Sequence, residues 1–308
     1  MKVMRRFLID TDTASDDAVA LVLALRHPDA QVEAVTVVAG NVPLEQAVRN
    51  ALYTVELCGS AVPVYAGARA PLTRPLETAQ FVHGEDGMAD IGLPLMGRLP
   101  HPGEAVDVIS STINQHPSEI TLVTLGPLTN VATALVREPF LARKVIECVI
   151  MGGTGRGPGN VTDNAEYNIW VDPEAASVVF ESGMPIKLVG WDISCKYATF
   201  GPDAARELRE IGTDLARFCI DIQATVDRYA VEVSGLEGFD LPDPIAMAIA
   251  LDPRIATQTR KVSVLVGTEG NERGATWIDS SRPPNVEMVE QADRQLFLEM
   301  LRRALGPA

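Results

Sequence analysis

Positive charge is in short supply in this chain. Lys and Arg number 26 against 41 Asp and Glu, a formal net charge of −15, and no Lys/Arg run offsets it. That balance argues against nucleic-acid binding through phosphate neutralisation and leaves the acidity to aid solubility. Cysteine is equally sparse: Cys58, Cys148, Cys195 and Cys219 lie far apart in no CxxC or Cys/His metal pattern, so reduced thiols in a cytoplasmic protein are expected. No apolar run approaches the roughly 20 residues of a membrane span. The start, Met1 to Arg6, is basic, but the apolar run after it breaks at Asp10, which does not fit a signal peptide. Aromatics are 5% of the residues and histidines number four, so stacking platforms and imidazole chemistry have few candidates. Apolar residues, at 46%, suffice for a sizeable core.

Short β-branched runs alternate with amphipathic stretches. Residues 6–10, 32–39, 120–125, 145–151 and 186–189 read as strands; 16–26, 44–58, 104–115, 128–136, 173–182, 204–211 and 214–229 read as helices. Such alternation indicates βαβ units. The expectation is an α/β fold, a single domain over residues 1–308, with a mainly parallel, Rossmann-like open sheet flanked by helices. Beyond Ala256 the pattern loosens: 262–266, 276–278 and 285–289 read as a meander and 294–305 as a closing helix. Two turn-rich loops, 67–102 and 152–168, have the length of functional lids or walls. Polar residues follow several strands: Asp10 and Asp12 the first, Asn41 the second, a Gly-rich loop the fourth, Asp192 the fifth. The carboxyl ends of parallel strands are where open sheets bind ligands, and the site is expected there.

The densest chemistry lies in Phe7-Leu-Ile-Asp10-Thr-Asp12-Thr-Ala-Ser-Asp16-Asp17, which sets four carboxylates in eight residues between apolar runs. Two carboxylates about 4 Å apart repel by roughly 4 kcal/mol at an effective dielectric near 20. A hard divalent cation with oxygen ligands, Ca²⁺ or Mg²⁺, resolves that conflict. Helix capping and the macrodipole account for Asp16 and Asp17, but not for Asp10 and Asp12 at the strand end. Haloacid-dehalogenase-like phosphatases also place two aspartates one residue apart after a first strand. They carry Thr or Val where this chain has Ala14, and they lack the Asp16-Asp17 pair.

Asp10-x-Asp12-x-x-x-Asp16-Asp17 followed by an apolar helix resembles the N-terminal signature of the inosine-uridine preferring nucleoside hydrolases. Further matching segments follow in the family's order: Val38-Ala-Gly-Asn41, Val64-Tyr-Ala-Gly67, His83-Gly-Glu-Asp-Gly87, Thr124-Leu-Gly-Pro-Leu-Thr-Asn130, Met151-Gly-Gly153, Gly159-Asn160, Ala165-Glu166-Tyr-Asn168, Asp172-Pro-Glu-Ala-Ala176 and Asp243. The resemblance implies Ca²⁺ held by Asp12, Asp17, the Leu125 carbonyl and Asp243. It implies hydrolysis of the N-glycosidic bond of a ribonucleoside by metal-bound water deprotonated by Asp12. Asp16, Asn160, Glu166 and Asn168 then hold the ribose hydroxyls, Asn41 lies near metal and water, and Asp10 supports the cluster from behind. A homodimer or homotetramer is also implied.

One position departs from the family. Many relatives carry His immediately before the last metal-binding Asp, where it protonates the leaving base; this chain reads Leu241-Pro242-Asp243, and Pro donates no proton. His27, His101 and His116 each precede Pro, which suggests surface connections. His83 remains as the catalytic candidate. Phe81, Trp191, Tyr229 and Phe239 are the aromatics near pocket segments, each more often core than stacking platform, and base preference stays open. Two other readings are a nucleoside- or ribose-binding protein without catalysis, suggested by the missing His, and a Mg²⁺ phosphatase with Asp10 as nucleophile.

Overall fold

The strand Arg5–Thr11 (β1) is buried from Phe7 onward on both faces. Phe7 and Ile9 join one apolar cluster with Val35, Val123 and Val149; Leu8 joins another with Leu122, Cys148 and Ile150. Successive side chains alternate across a strand, so helices must cover both sides of such a sheet. The computed structural model, which describes residues 4–307, shows this two-sided packing. Helices Ser15–Arg26, Leu44–Leu57, Pro242–Leu251 and Arg294–Leu305 cover the first face; Ala105–Gln115, Thr129–Arg137 and Pro173–Glu181 cover the second.

The other strands of the sheet are Ala30–Val37 (β2), Val64–Ala66 (β3), Ile120–Thr124 (β4), Glu147–Met151 (β5), Ile186–Val189 (β6), Ala256–Val262 (β7) and Val286–Ala292 (β8). Their order is β3-β2-β1-β4-β5-β6-β8-β7. Every neighbouring pair is parallel except β8 with β7 at the edge. The chain thus forms a single α/β domain with a mainly parallel open sheet. The order reverses between β1 and β4, so the connections leaving these two adjacent strands diverge and open a crevice at their carboxyl ends, the usual ligand position in such sheets.

The meander expected after Ala256 is corrected. β7 and β8 enlarge the main sheet, while Val264–Val266 and Thr276–Ile278 pair apart from it as an antiparallel ribbon. The helix expected over 214–229 is interrupted: Asp214–Asp221 ends, Ala224–Tyr229 restarts, and a π-turn Ala230–Ser234 stops at left-handed Gly235. The break is used, since buried Gln223 donates to the Ser15 carbonyl at 3.0 Å. Neither long loop is wholly irregular: the first contains Gln80–His83, and the second ends in the helix Tyr167–Val171. Among the described residues no helix is long and apolar enough to cross a membrane.

Candidate active site and cation cluster

Asp12 leaves β1 at the switch point with no exposed surface. Its Oδ2 accepts the Asn41 backbone N–H at 2.6 Å, and its Oδ1 has no partner. Two glycines make room for it: a Cβ on Gly40 would lie 2.1 Å from Oδ2, and one on Gly126 would lie 2.6 Å from Oδ1. Asp16 and Asp17 follow in the first turn of Ser15–Arg26. Asp17 takes the capping bond, from Ala14 N–H at 2.9 Å, and also accepts from Thr11 Oγ1 at 2.5 Å. Asp16, also in the first turn, leaves its buried Oδ1 without a partner. Asp243 lies in the first turn of Pro242–Leu251, where Pro242 occupies an N-terminal position that requires no N–H donor.

Oxygens of Asp16, Asp17 and Asp243 come within 4.8 Å of one another. Asp12 stands beside this trio, and its charge acts on Asp243. Burial, then mutual repulsion, pushes the carboxyls of Asp12 and Asp243 far above the ordinary range. Burial alone dominates for Asp16, raised to about 7, and burial followed by the Asp16 charge for Asp17, also about 7. Among the described residues no Lys or Arg lines the cleft to offset them. Unpartnered buried oxygens and an all-oxygen donor set could hold a metal ion, and such donors suit a hard divalent cation.

Around it the cleft is lined by Asn41, His83, Leu125, Glu166, Asn168 and Asp240, among others. Glu166 is the N-cap of Tyr167–Val171: Oε1 accepts from Asn168 N at 2.8 Å, and Oε2 from Gly153 N at 2.8 Å and Ile169 N at 3.3 Å. A carboxylate has about four acceptor sites, so Oε1 retains one for a ligand. Asn168 Nδ2 donates to the Leu125 carbonyl at 2.7 Å, leaving that carbonyl a second lone pair for a cation. Asn160 is exposed at the cleft and accepts Tyr167 N–H at 2.9 Å.

His83 ends the helix Gln80–His83, with Nδ1 3.0 Å from Ser15 Oγ and 3.9 Å from Asp16 Oδ1. Burial pushes its pKa down to about 4, so at neutral pH the Asp16 contact is no ion pair. If Ser15 donates to Nδ1, the ring's proton sits on Nε2. The remaining histidines take no part in the cleft.

Asp10 does not line the cleft. It has no exposed surface, and its Oδ1 is held by Thr36 Oγ1 at 2.5 Å and Asn130 Nδ2 at 2.9 Å. A nucleophile that no substrate reaches does not serve a phosphatase, so that reading falls. Sequence reasoning missed Asp240, whose Oδ2 accepts from Trp191 Nε1 at 2.9 Å and Ser194 Oγ at 2.7 Å; nothing in Phe239-Asp240-Leu241 set it apart. Phe81, Trp191 and Tyr229 do line the cleft, and Phe81 and Tyr229 meet edge to face at 5.7 Å. Phe239 is core.

The family model of inosine-uridine preferring nucleoside hydrolases matches residues 7–299. The pyrimidine-specific ribonucleoside hydrolase RihA of Salmonella agona is 38% identical over 305 residues, 97% of each chain. Among solved structures, a plant nucleoside hydrolase superposes with TM-score 0.93 at 32% identity, covering 99% of this chain and 100% of its own. A purine-preferring ribonucleoside hydrolase from Gardnerella vaginalis gives 0.91 at 30%, covering 98% of both. With the acidic cleft at the sheet's switch point, these likenesses place the chain in the inosine-uridine preferring nucleoside hydrolase family, as an N-glycosyl hydrolase of ribonucleosides.

Proposed function

We propose that the protein is a Ca²⁺-dependent ribonucleoside hydrolase that prefers pyrimidine nucleosides and works as a cytoplasmic homodimer or homotetramer. The observation that carries the reading is the buried acidic cluster without a countercharge beside a pre-bonded Glu166 and Asn168. Asp12, Asp17, the Leu125 carbonyl and Asp243 would hold the ion, with the Asp16 carboxylate beside Asp17 and Asp243. When bound, Ca²⁺ would supply a positioned, more acidic water and an anchor for ribose hydroxyls.

The chain's own groups do the rest. Asp12 is held at Oδ2 by Asn41 and takes the proton of the attacking water on Oδ1. Asp16, Asn160, Glu166 and Asn168 hold the ribose. The surrounding carboxylates favour positive charge as the C1′–N bond breaks through an oxocarbenium-like transition state. The bond's electron pair leaves with the base, which departs as its anion under a hydrogen bond from His83, neutral and backed by Ser15, and takes its proton from solvent water. The pyrimidine preference rests on the curated relatives at 37–38% identity, which are named pyrimidine-specific, and the four free cysteines agree with a reducing compartment.

The test is product analysis with inosine, adenosine, guanosine, uridine and cytidine. Uridine and cytidine should release base fastest. EDTA should abolish release, and Asp12→Asn should reduce it by roughly 10²–10⁴-fold, as loss of a general base does. Folded, Ca²⁺-loaded protein that binds nucleosides and releases no base would instead establish the binding-protein reading.

A further inference from the structure

Asn130, the last residue of Thr124-Leu-Gly-Pro-Leu-Thr-Asn130, has no exposed surface and does not line the cleft. It lies in the first turn of Thr129–Arg137, and its amide reaches three other segments. Nδ2 donates to Asp10 Oδ1 at 2.9 Å and to the Val37 carbonyl at 3.2 Å, and Oδ1 accepts Ala68 N–H at 2.9 Å. One side chain, placed just after β4, therefore joins β1, the end of β2 and the chain leaving β3. The fit is close: a Cβ on Gly67 would lie 2.4 Å from Asn130 Oδ1.

These bonds lead to Asp12. The Ala68 carbonyl accepts Ala39 N–H at 2.8 Å, and Val38 N–H meets the Thr11 carbonyl at 3.0 Å. Two residues after Ala39, Asn41 N–H clamps Asp12 Oδ2 at 2.6 Å. The 38–41 turn is thus seated on the segment that Asn130 holds and grips Asp12 at its other end. Asp10, held by the same amide, accepts Leu125 N–H on its backbone carbonyl at 2.8 Å.

We propose that Asn130 is a positioning residue that keeps Asp12 and the Leu125 carbonyl in the arrangement that binds the divalent cation. The proposal rests on the Ca²⁺ reading above. Groups behind the ligands orient them, and losing such a group costs roughly 10–100-fold in metal affinity. A residue that merely packs would lower melting temperature and leave the affinity of the folded protein intact.

The test is Ca²⁺ affinity by competition with a chromophoric chelator, on variants shown to be folded by circular dichroism. Asn130→Asp keeps the size and removes both donated hydrogen bonds. The reciprocal double variant Asp10→Asn/Asn130→Asp restores a donor between these two positions. Asn130→Asp should weaken Ca²⁺ binding by roughly 10–100-fold, and the double variant should recover most of that loss. If Asn130→Asp does not fold, Asn130→Ser is read in the same way. Wild-type-like affinity in the folded single variant overturns the inference alone, as does a double variant that binds no better than the single one. A wild-type chain that binds no Ca²⁺ overturns the metal reading and this inference together.

Discussion

His83 lies buried between Ser15 and Asp16, and burial pushes its pKa down to about 4. At neutral pH it is an uncharged ring that donates through one nitrogen only. A neutral donor helps most where the leaving group is basic. His83→Gln should therefore lower kcat on uridine by roughly 10²-fold, as loss of one hydrogen bond to developing negative charge does, while a nitrophenyl riboside, whose anion leaves without such help, should be hydrolysed at close to the wild-type rate. Equal losses on both substrates would assign His83 to ground-state packing. The same residue shows how far single positions can be read without coordinates. Its place in His83-Gly-Glu-Asp-Gly87, and its lack of a following Pro, separated it from His27, His101 and His116. Its partners came from Ser15, 68 positions away, which no local pattern indicates. Glu166 was legible as a polar residue in a matching segment, but its work as acceptor for three backbone N–H groups, two at the start of its own helix and one from Gly153, is visible only once the 152–168 loop is folded.

At the scale of elements, the 67–102 loop is strapped rather than free. Leu72 N–H binds Asp172 at 3.0 Å; Arg74 pairs with Glu174 and reaches the Thr268 carbonyl; Arg273 pairs with Glu77 at 2.7 Å. Beyond these anchors the same loop carries Phe81 and His83 into the cleft. Arg74→Met keeps the aliphatic stem and removes the fork. It should raise KM several-fold with kcat largely kept, the pattern of lost uniform binding, and speed proteolytic nicking within the loop. Unchanged KM would show that the cleft wall does not depend on the strap. Elements with a clear period were legible: β6 and the helix Arg294–Leu305 have the bounds their patterns indicated. The helix Pro242–Leu251 was not read as one. Its two prolines look like breakers, although both fit a first turn, and Ile245 to Ala250 have no exposed surface, so no amphipathic period marks them. The break at Gln223 escaped notice because it depends on a bond to Ser15 over 200 positions away.

For the molecule as a whole, the acidic cluster couples stability to pH and to the cation. Without metal, burial raises Asp10, Asp16, Asp17 and Glu166 to about 7, and raises Asp12 and Asp243 well above the usual carboxylate range. In an unfolded chain all six titrate near 4. Between those values the folded state holds more protons than the unfolded state, so stability must fall as pH rises, and the loss is complete only above the folded pKa values. His83 acts in the opposite sense: its depressed pKa adds stability as pH rises between about 4 and 6.5, but it is one group against six. A bound divalent cation supplies the charge that the protons supplied and stabilises by about 2.7 kcal/mol at a hundred times its Kd. The gap in Tm between Ca²⁺ and EDTA, measured at constant ionic strength, should therefore be small at pH 5 and reach several degrees at pH 8. EDTA-treated protein should itself melt lower at pH 8 than at pH 5. A gap that stays constant or narrows with rising pH would mean that these carboxylates are not where the cation binds, and general screening of the −15 net charge would then account for any effect of Ca²⁺.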